Sequence, residues 1–228
     1  AMVEVIDDLG GLDLEITEGE MSQINKYKKD VDLVTGKATP NVTQYGLVHL
    51  DGTQATTYAR IRKLAGDDFK RASRQRIVLQ AIMEKAKKAD FATLTNICNS
   101  VIDDVSTSLS ITQILSLAKD VGSYNIASTT GFPFELTTKN LSGSGDTVIP
   151  ADLATNVKEL HEYMFEDATY VPSSTVQTIS DAIVYKTGIT KDSALINTSD
   201  YNETAGATGT DGIKKGADTN TNTDTVTN

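Results

Sequence analysis

Residues 50–80 read LDGTQATTYARIRKLAGDDFKRASRQRIVLQ, and they concentrate positive charge in a chain whose net charge is -10. Seven cationic side chains lie between Arg60 and Arg76, and only Asp67 and Asp68 oppose them. The acidic balance of the whole chain disfavours a nucleic-acid-binding protein. Positive charge gathered into one short stretch of an acidic protein therefore indicates a local site.

The first part of this stretch predicts a pair of arginines on one side of the backbone. If the segment is extended, Arg60 and Arg62 point to the same side and Ile61 to the other. A helix is then expected to start at Asp67 or Asp68 and to run to about Ala89.

The phase of that helix places two more polar residues near the core. Arg71 and Gln75 fall within the same angular stripe as the apolar residues Val78 and Ile82, so both are predicted to face inward. A buried cation needs a counter-charge, and Asp68 can neutralise only one.

A bound anion is the remaining source of negative charge. Helix N-termini favour anions, and arginine forks match phosphate oxygens in a bidentate way. The stretch therefore predicts a cradle for a pyrophosphate or polyphosphate. One alternative is a solvated basic face with surface salt bridges. A nucleic-acid patch is disfavoured, because Phe69 is the one aromatic residue interleaved with the cations between Arg60 and Arg76.

Outside this stretch, hydrophobic periodicity predicts helices alternating with short strands, which is typical of an α/β fold. The first helix ends at Gly10-Gly11, as helix C-termini prefer. The predicted helices cover residues 1–9, 91–101, 110–121, 153–165 and 176–185, and the predicted strands cover 12–16 and 147–149.

The end of the chain has a different composition. From residue 202 it consists mostly of Thr, Asn, Gly and Asp with almost no large apolar residues, which predicts a disordered tail over 202–228. No run of 18 apolar residues is present to predict a transmembrane helix.

The arginine-rich stretch also resembles the signature of LytR-CpsA-Psr (LCP) proteins. The matching strings are Leu50–Ala55, Tyr58–Arg62, Asp68–Arg71 and Arg74–Arg76, and Asp8–Gly11, Gly131–Pro133 and Val148–Pro150 are similar to further family elements. The resemblance covers residues 1–170, about the C-terminal two-thirds of such a domain, followed by an extension over 171–201. The family's first portion is expected to be missing here, together with a membrane anchor.

This resemblance implies a three-layer α/β/α fold with a central mixed sheet. It also implies a phosphotransferase that uses Mg²⁺ to move a glycopolymer from a polyprenyl pyrophosphate carrier to peptidoglycan. Teichoic acid or capsule would be the polymer, and the place of action would be the extracellular face of the cell membrane and the cell wall. No nucleic acid is expected as a partner.

The resemblance further implies roles for particular residues. Arg60, Arg62, Arg71 and Gln75 would hold the pyrophosphate, with Arg74 as an additional candidate. Asp68 would orient the arginines or assist proton transfer, and Asp68 and Arg71 are the predicted catalytic pair. No metal ligand is predicted in this chain, because the family's metal-side aspartates belong to the portion expected to be missing.

Two other functions remain open at this point. The chain could be a non-catalytic module that binds polyprenyl phosphate lipids. It could also be an envelope-related transcriptional attenuator or regulator, although no helix-turn-helix pattern supports this.

Overall fold

The computed structural model describes residues 1–62 and 67–198, without the side chains of Asp67 and Asp68. Helices and strands alternate from α1 to α3, and the helices α3 to α6 then follow one another. The helices are α1 (Met2–Asp8), α2 (Glu18–Thr35), α3 (Gly52–Ala59), α4 (Asp67–Ala86), α5 (Phe91–Val101), α6 (Ile111–Lys119), α7 (Leu153–Phe165) and α8 (Ser174–Thr187). The strands are β1 (Leu12–Ile16), β2 (Gly46–Leu50), β3 (Glu135–Leu141), β4 (Gly145–Pro150) and β5 (Ile196–Asn197).

The N-terminal part is built around an antiparallel pair of strands, β1 and β2. Leu12 pairs with Leu50 and Leu14 pairs with Val48, and all four side chains are buried. Asp13 and His49 pair on the opposite, exposed face. This alternation buries one face of the ribbon, which joins residues of α1, α2, α3 and α4 in a single apolar core.

Two glycines allow the backbone to pack closely at the ends of this ribbon. A Cβ on Gly52 would lie 2.2 Å from the carbonyl oxygen of Val3, so only glycine lets α1 approach the start of α3. The Asp7 carboxylate accepts the Gly52 N–H at 2.6 Å. Gly11 has a φ of 81° and leaves no room for a Cβ beside Leu50.

The C-terminal part is held by a polar side chain as well as by apolar packing. Strands β3 and β4 form a hairpin, β5 pairs with β3, and α8 packs against α7. The buried amide of Asn156 accepts the N–H groups of Phe134 and Glu135, and its nitrogen donates to the carbonyl oxygens of Glu135, Ala151 and Asp152. This side chain therefore ties α7 to the start of β3.

The α/β class predicted from the sequence is confirmed, and so are the helices predicted at 1–9, 91–101, 110–121, 153–165 and 176–185 and both predicted strands. The predictions omitted the helices α2 and α3 and the strands β2, β3 and β5. In the described residues the strands form two antiparallel sheets rather than one central mixed sheet. One reason is that β1 and β2 alternate polar and apolar residues, a pattern that suits a strand with one exposed face.

The predicted disordered tail over 202–228 lies outside the described residues. Two elements lie within residues 171–198. Helix α8 packs against α7, and strand β5 pairs with β3. None of the helices in the described part of the chain is long and apolar enough to cross a membrane.

Candidate anion-binding site

The two arginines of the segment Arg60–Arg62 are exposed, and the isoleucine between them is buried. Helix α3 ends at Ala59, and Arg60 forms its C-cap with a φ of -101° and a ψ of -4°. Ile61 is 3% exposed and joins the core, whereas Arg60 and Arg62 are both exposed. The expected difference in exposure between the arginines and Ile61 is therefore observed. The extended backbone predicted for this segment was wrong at Arg60, because that residue caps helix α3 in a helical conformation.

Arg60 and Arg62 line a common pocket of about 130 Å³. One wall comes from the end of α3 and the residues that follow it, and the other comes from α2. Among the described residues, the lining consists of Tyr27, Asp30, Val31, Thr57, Arg60, Ile61 and Arg62. The core residues Val31 and Ile61 fix both walls, because their side chains are only 5% and 3% exposed.

The charge in this pocket is not balanced by salt bridges. Among the described side chains, those of residues 1–62 and 69–198, neither Arg60 nor Arg62 has a carboxylate oxygen within 4.0 Å. Asp30 lines the same pocket, but it too forms no ion pair in this part of the chain. Two guanidinium groups at one pocket can therefore take up an anion with bidentate geometry.

Arg74 is used differently, because its guanidinium group is buried and paired inside the fold. Its Nε donates to Oε1 of Glu20 at 2.7 Å, and its Nη1 donates to the carbonyl oxygen of Ile61 at 3.4 Å. Arg74 and Glu20 are 5% and 8% exposed. Arg74 therefore joins α4 to α2 and holds the backbone between Arg60 and Arg62. The contacts of Arg74 are those of a residue that supports the fold, and its role as a pyrophosphate ligand stays a prediction.

The inward orientation predicted for Gln75 was wrong. Gln75 is exposed, because the buried stripe of α4 runs through Arg74, Ile77, Val78 and Ala81. Arg71 is half-buried, and neither Arg71 nor Gln75 lines the pocket. Val78 belongs to both the predicted and the observed buried face of α4. The positions of the apolar residues therefore did not decide which face of the helix is buried. The side chain of Asp68 lies outside the described residues.

Another arginine of α4 is partly desolvated. Arg76 is half-buried, and burial lowers the pKa of its guanidinium group. An arginine nevertheless stays protonated at neutral pH. Arg74 and Arg76 therefore place positive charge within the fold, whereas Arg60 and Arg62 place it at an accessible pocket.

The expected Mg²⁺ can be compared with the donors in the described part of the chain. Mg²⁺ prefers several oxygen ligands in a near-octahedral arrangement. The described side chains of residues 1–62 and 69–198 include no group of three or more His, Cys, Asp or Glu residues that could hold a metal ion. Proteins often hold Mg²⁺ through only one or two carboxylates together with substrate phosphates. The use of Mg²⁺ therefore stays a prediction, and no chemical step is assigned to the ion.

Sequence reasoning missed the wall of the pocket that α2 provides. A detectable signal was present at its start, where Thr17-Glu-Gly-Glu20 forms a capping box with reciprocal bonds between Thr17 and Glu20. Ile24 and Val31, seven residues apart, then mark the buried side of the helix. The many charged residues between them obscured this pattern, because Lys28 is itself buried and donates to the carbonyl oxygen of Thr39.

The family relationship is decided by a match that covers most of the chain. The sequence profile of the LytR_cpsA_psr family matches residues 1–160. The chain belongs to the LytR_cpsA_psr family. The profile spans the arginine-rich stretch and the α2 wall of the pocket, so both walls lie within the family domain.

A curated relative in this family is a transferase. The chain is 26% identical over 184 residues to the polyisoprenyl-teichoic acid–peptidoglycan teichoic acid transferase TagV of Bacillus subtilis (strain 168). The alignment covers 77% of this chain and 43% of TagV. The chain thus spans less than half the length of that relative.

Two solved structures resemble the fold. Protein gbs0355 from Streptococcus agalactiae has a TM-score of 0.54 at 20% identity, over 76% of this chain and 56% of that chain. The transcriptional regulator EF0465 from Enterococcus faecalis has a TM-score of 0.51 at 17% identity, over 81% of this chain and 62% of that chain. At these identities the resemblance concerns the fold alone.

Proposed function

We propose that this chain carries the pyrophosphate-binding part of a phosphotransferase that moves a glycopolymer from a polyprenyl pyrophosphate carrier to peptidoglycan. The observation that carries the proposal is the pocket beside Arg60 and Arg62, two guanidinium groups without a salt-bridge partner in the described residues. Family membership and the transferase named TagV support the choice of chemistry. Teichoic acid is the polymer class that the name TagV favours, and capsule is a second possibility.

In the proposed reaction, Arg60 and Arg62 bind the pyrophosphate and neutralise its charge. A hydroxyl oxygen of peptidoglycan attacks the phosphorus nearer the glycopolymer, and a new P–O bond forms. The P–O bond to the second phosphate breaks, and polyprenyl phosphate leaves. The hydroxyl proton passes to a base, for which Asp68 remains the predicted candidate. Positioning and charge stabilisation supply the catalysis, as in other phosphoryl transfers.

Several parts of the proposal rest on the family resemblance. These parts are the participation of Arg71 in pyrophosphate binding, the use of Mg²⁺, membrane anchoring and action on the extracellular face of the membrane. The resemblance also implies a role for Gln75, but the proposed site leaves it out because its side chain is exposed and does not line the pocket. Arg74 enters as a positioning residue, because it donates to the carbonyl oxygen of Ile61 from within the core.

A transfer assay tests the proposal. Purified protein is incubated with a polyprenyl-pyrophosphate-linked glycopolymer and peptidoglycan, and covalently attached polymer is measured. We expect the double variant with Arg60→Ala and Arg62→Ala to lose transfer by about 100-fold or more. Lys88→Ala removes the same kind of charge from an exposed position outside the pocket and should leave transfer unchanged.

The possible outcomes separate the functions. Full transfer by the double variant would contradict the assignment of the pocket. Lipid binding without transfer by the wild type would instead favour the non-catalytic lipid-binding module.

A further inference from the structure

The pocket has two walls of opposite charge. Arg60 and Arg62 provide one wall, and the facing part of α2 provides Tyr27 and Asp30. A pyrophosphate alone is complementary to the arginine wall and not to a carboxylate, since like charges repel. The α2 wall therefore requires an explanation that the proposed pyrophosphate site does not supply.

The sequence of α2 places its wall residues on one helical face. Tyr27, Asp30 and Val31 are spaced three and four residues apart, so their side chains lie next to one another along the helix. Val31 is 5% exposed and anchors this face in the core, whereas Asp30 is exposed at the rim. The buried pair of Glu20 and Arg74 fixes the same helix against α4.

The carboxylate of Asp30 is available to a ligand. In the described part of the chain it forms no ion pair with either arginine, although all three side chains line one pocket. An ionised carboxylate is a hydrogen-bond acceptor only, so its natural uncharged partners are hydroxyl and amide N–H groups. The ring of Tyr27 adds an apolar surface with a polar tip on the same wall.

We propose that Asp30, with Tyr27 beside it, binds the first sugar attached to the pyrophosphate, while Arg60 and Arg62 hold the phosphates. The inference rests on the proposed function and deepens it. A sugar phosphate ester is anionic at one end and rich in hydroxyl groups at the other, which matches the two walls. The carboxylate repels phosphate from the α2 wall, so the ester binds in one orientation.

The test compares two ligands on the full chain. Farnesyl pyrophosphate carries the phosphates without a sugar, and farnesyl pyrophosphoryl-N-acetylglucosamine carries one sugar. Dissociation constants are measured by isothermal titration calorimetry for the wild type, Asp30→Asn, Asp30→Ala and the control Asp103→Asn, which removes an exposed carboxylate outside the pocket. Unfolding curves of each variant check that the fold is intact.

The wild type and Asp103→Asn should bind the sugar-bearing ligand about tenfold more tightly than farnesyl pyrophosphate. Asp30→Ala should abolish this preference, and its affinity for farnesyl pyrophosphate should stay the same or rise, because a repulsive charge is removed. Asp30→Asn should show an intermediate preference, since the amide keeps one acceptor oxygen.

Other results would overturn the inference. An unchanged sugar preference in Asp30→Ala would contradict it, and so would equal affinity of the wild type for both ligands. An equal loss of affinity for both ligands, seen only with added Mg²⁺, would identify Asp30 as a cation ligand instead. If the wild type binds neither ligand, the proposed function fails and the sugar site fails with it.

Discussion

Two regions of the molecule contain arginines in similar sequence surroundings and use them in opposite ways. In the segment Arg60–Arg62, both arginines are exposed and line a pocket. In the first half of α4, Arg74 is buried and paired with Glu20. A guanidinium group with a buried partner supports the fold, whereas one without a salt-bridge partner at a pocket is available to a ligand. Cationic density alone does not separate the two cases.

The largest effect is expected from Arg74→Ala. Removing one partner of a buried ion pair leaves the Glu20 carboxylate without its counter-charge, which should lower the free energy of unfolding by about 3 kcal/mol. Chemical denaturation measures this change, and Lys88→Ala serves as the exposed control. A change as small as that of the control would show that the pair contributes little to stability.

A second effect separates binding from stability in the pocket. Arg60→Ala or Arg62→Ala should each weaken binding of farnesyl pyrophosphate about tenfold or more, because a charge-assisted hydrogen bond is lost. Both side chains are exposed, so the free energy of unfolding should change by no more than about 0.5 kcal/mol. Calorimetry and denaturation of the same samples measure both quantities. A large decrease in the free energy of unfolding would show that Arg60 and Arg62 support the fold, as Arg74 does.

The third and smaller effect is a different response to salt of ligand binding at Arg60 and Arg62 and of the stability contributed by Arg74. Dissolved salt weakens the electrostatic interactions of exposed charges, and the Debye length is about 10 Å at 0.1 M ionic strength. Salt weakens the interactions of buried ion pairs much less. Raising the sodium chloride concentration should weaken farnesyl pyrophosphate binding to the wild type. The difference in unfolding free energy between the wild type and Arg74→Ala should stay nearly constant. Ligand affinity that does not respond to salt would argue against the arginine wall.

The smallest effect is expected at Gln75. Because its side chain is exposed and does not line the pocket, Gln75→Ala should change the free energy of unfolding by less than about 0.5 kcal/mol. Farnesyl pyrophosphate affinity should fall less than about threefold. A tenfold loss of affinity would restore Gln75 as a pyrophosphate ligand and would mean that the binding site extends along α4.

Local patterns were sufficient to predict much of the fold. The apolar spacing of Phe91–Val101 and Leu153–Phe165 gave both helices with the bounds that the structure has. The alternation in Leu12–Ile16 gave β1 and its buried face. The exposure of Arg60 and Arg62 and the burial of Ile61 were predicted from an extended backbone, although Arg60 is instead the C-cap of α3.

The rest depended on contacts between distant residues. Helix α4 has apolar residues that fit two phases, and Glu20, 54 positions away from Arg74, is the partner in the phase that the structure adopts. Helix α2 buries the charged residues Glu20 and Lys28, so its pattern resembled a solvated segment. The α2 wall of the pocket could not be inferred without placing that helix first.

The central claim is that Arg60 and Arg62 bind the ligand while Arg74 supports the fold. It is tested most directly by following the arginine Nε–Hε signals in ¹⁵N NMR spectra during a titration with farnesyl pyrophosphate, with each signal assigned by substitution. The account predicts that the signals of Arg60 and Arg62 shift progressively while the signal of Arg74 changes little. A shifting Arg74 signal with constant Arg60 and Arg62 signals would contradict it.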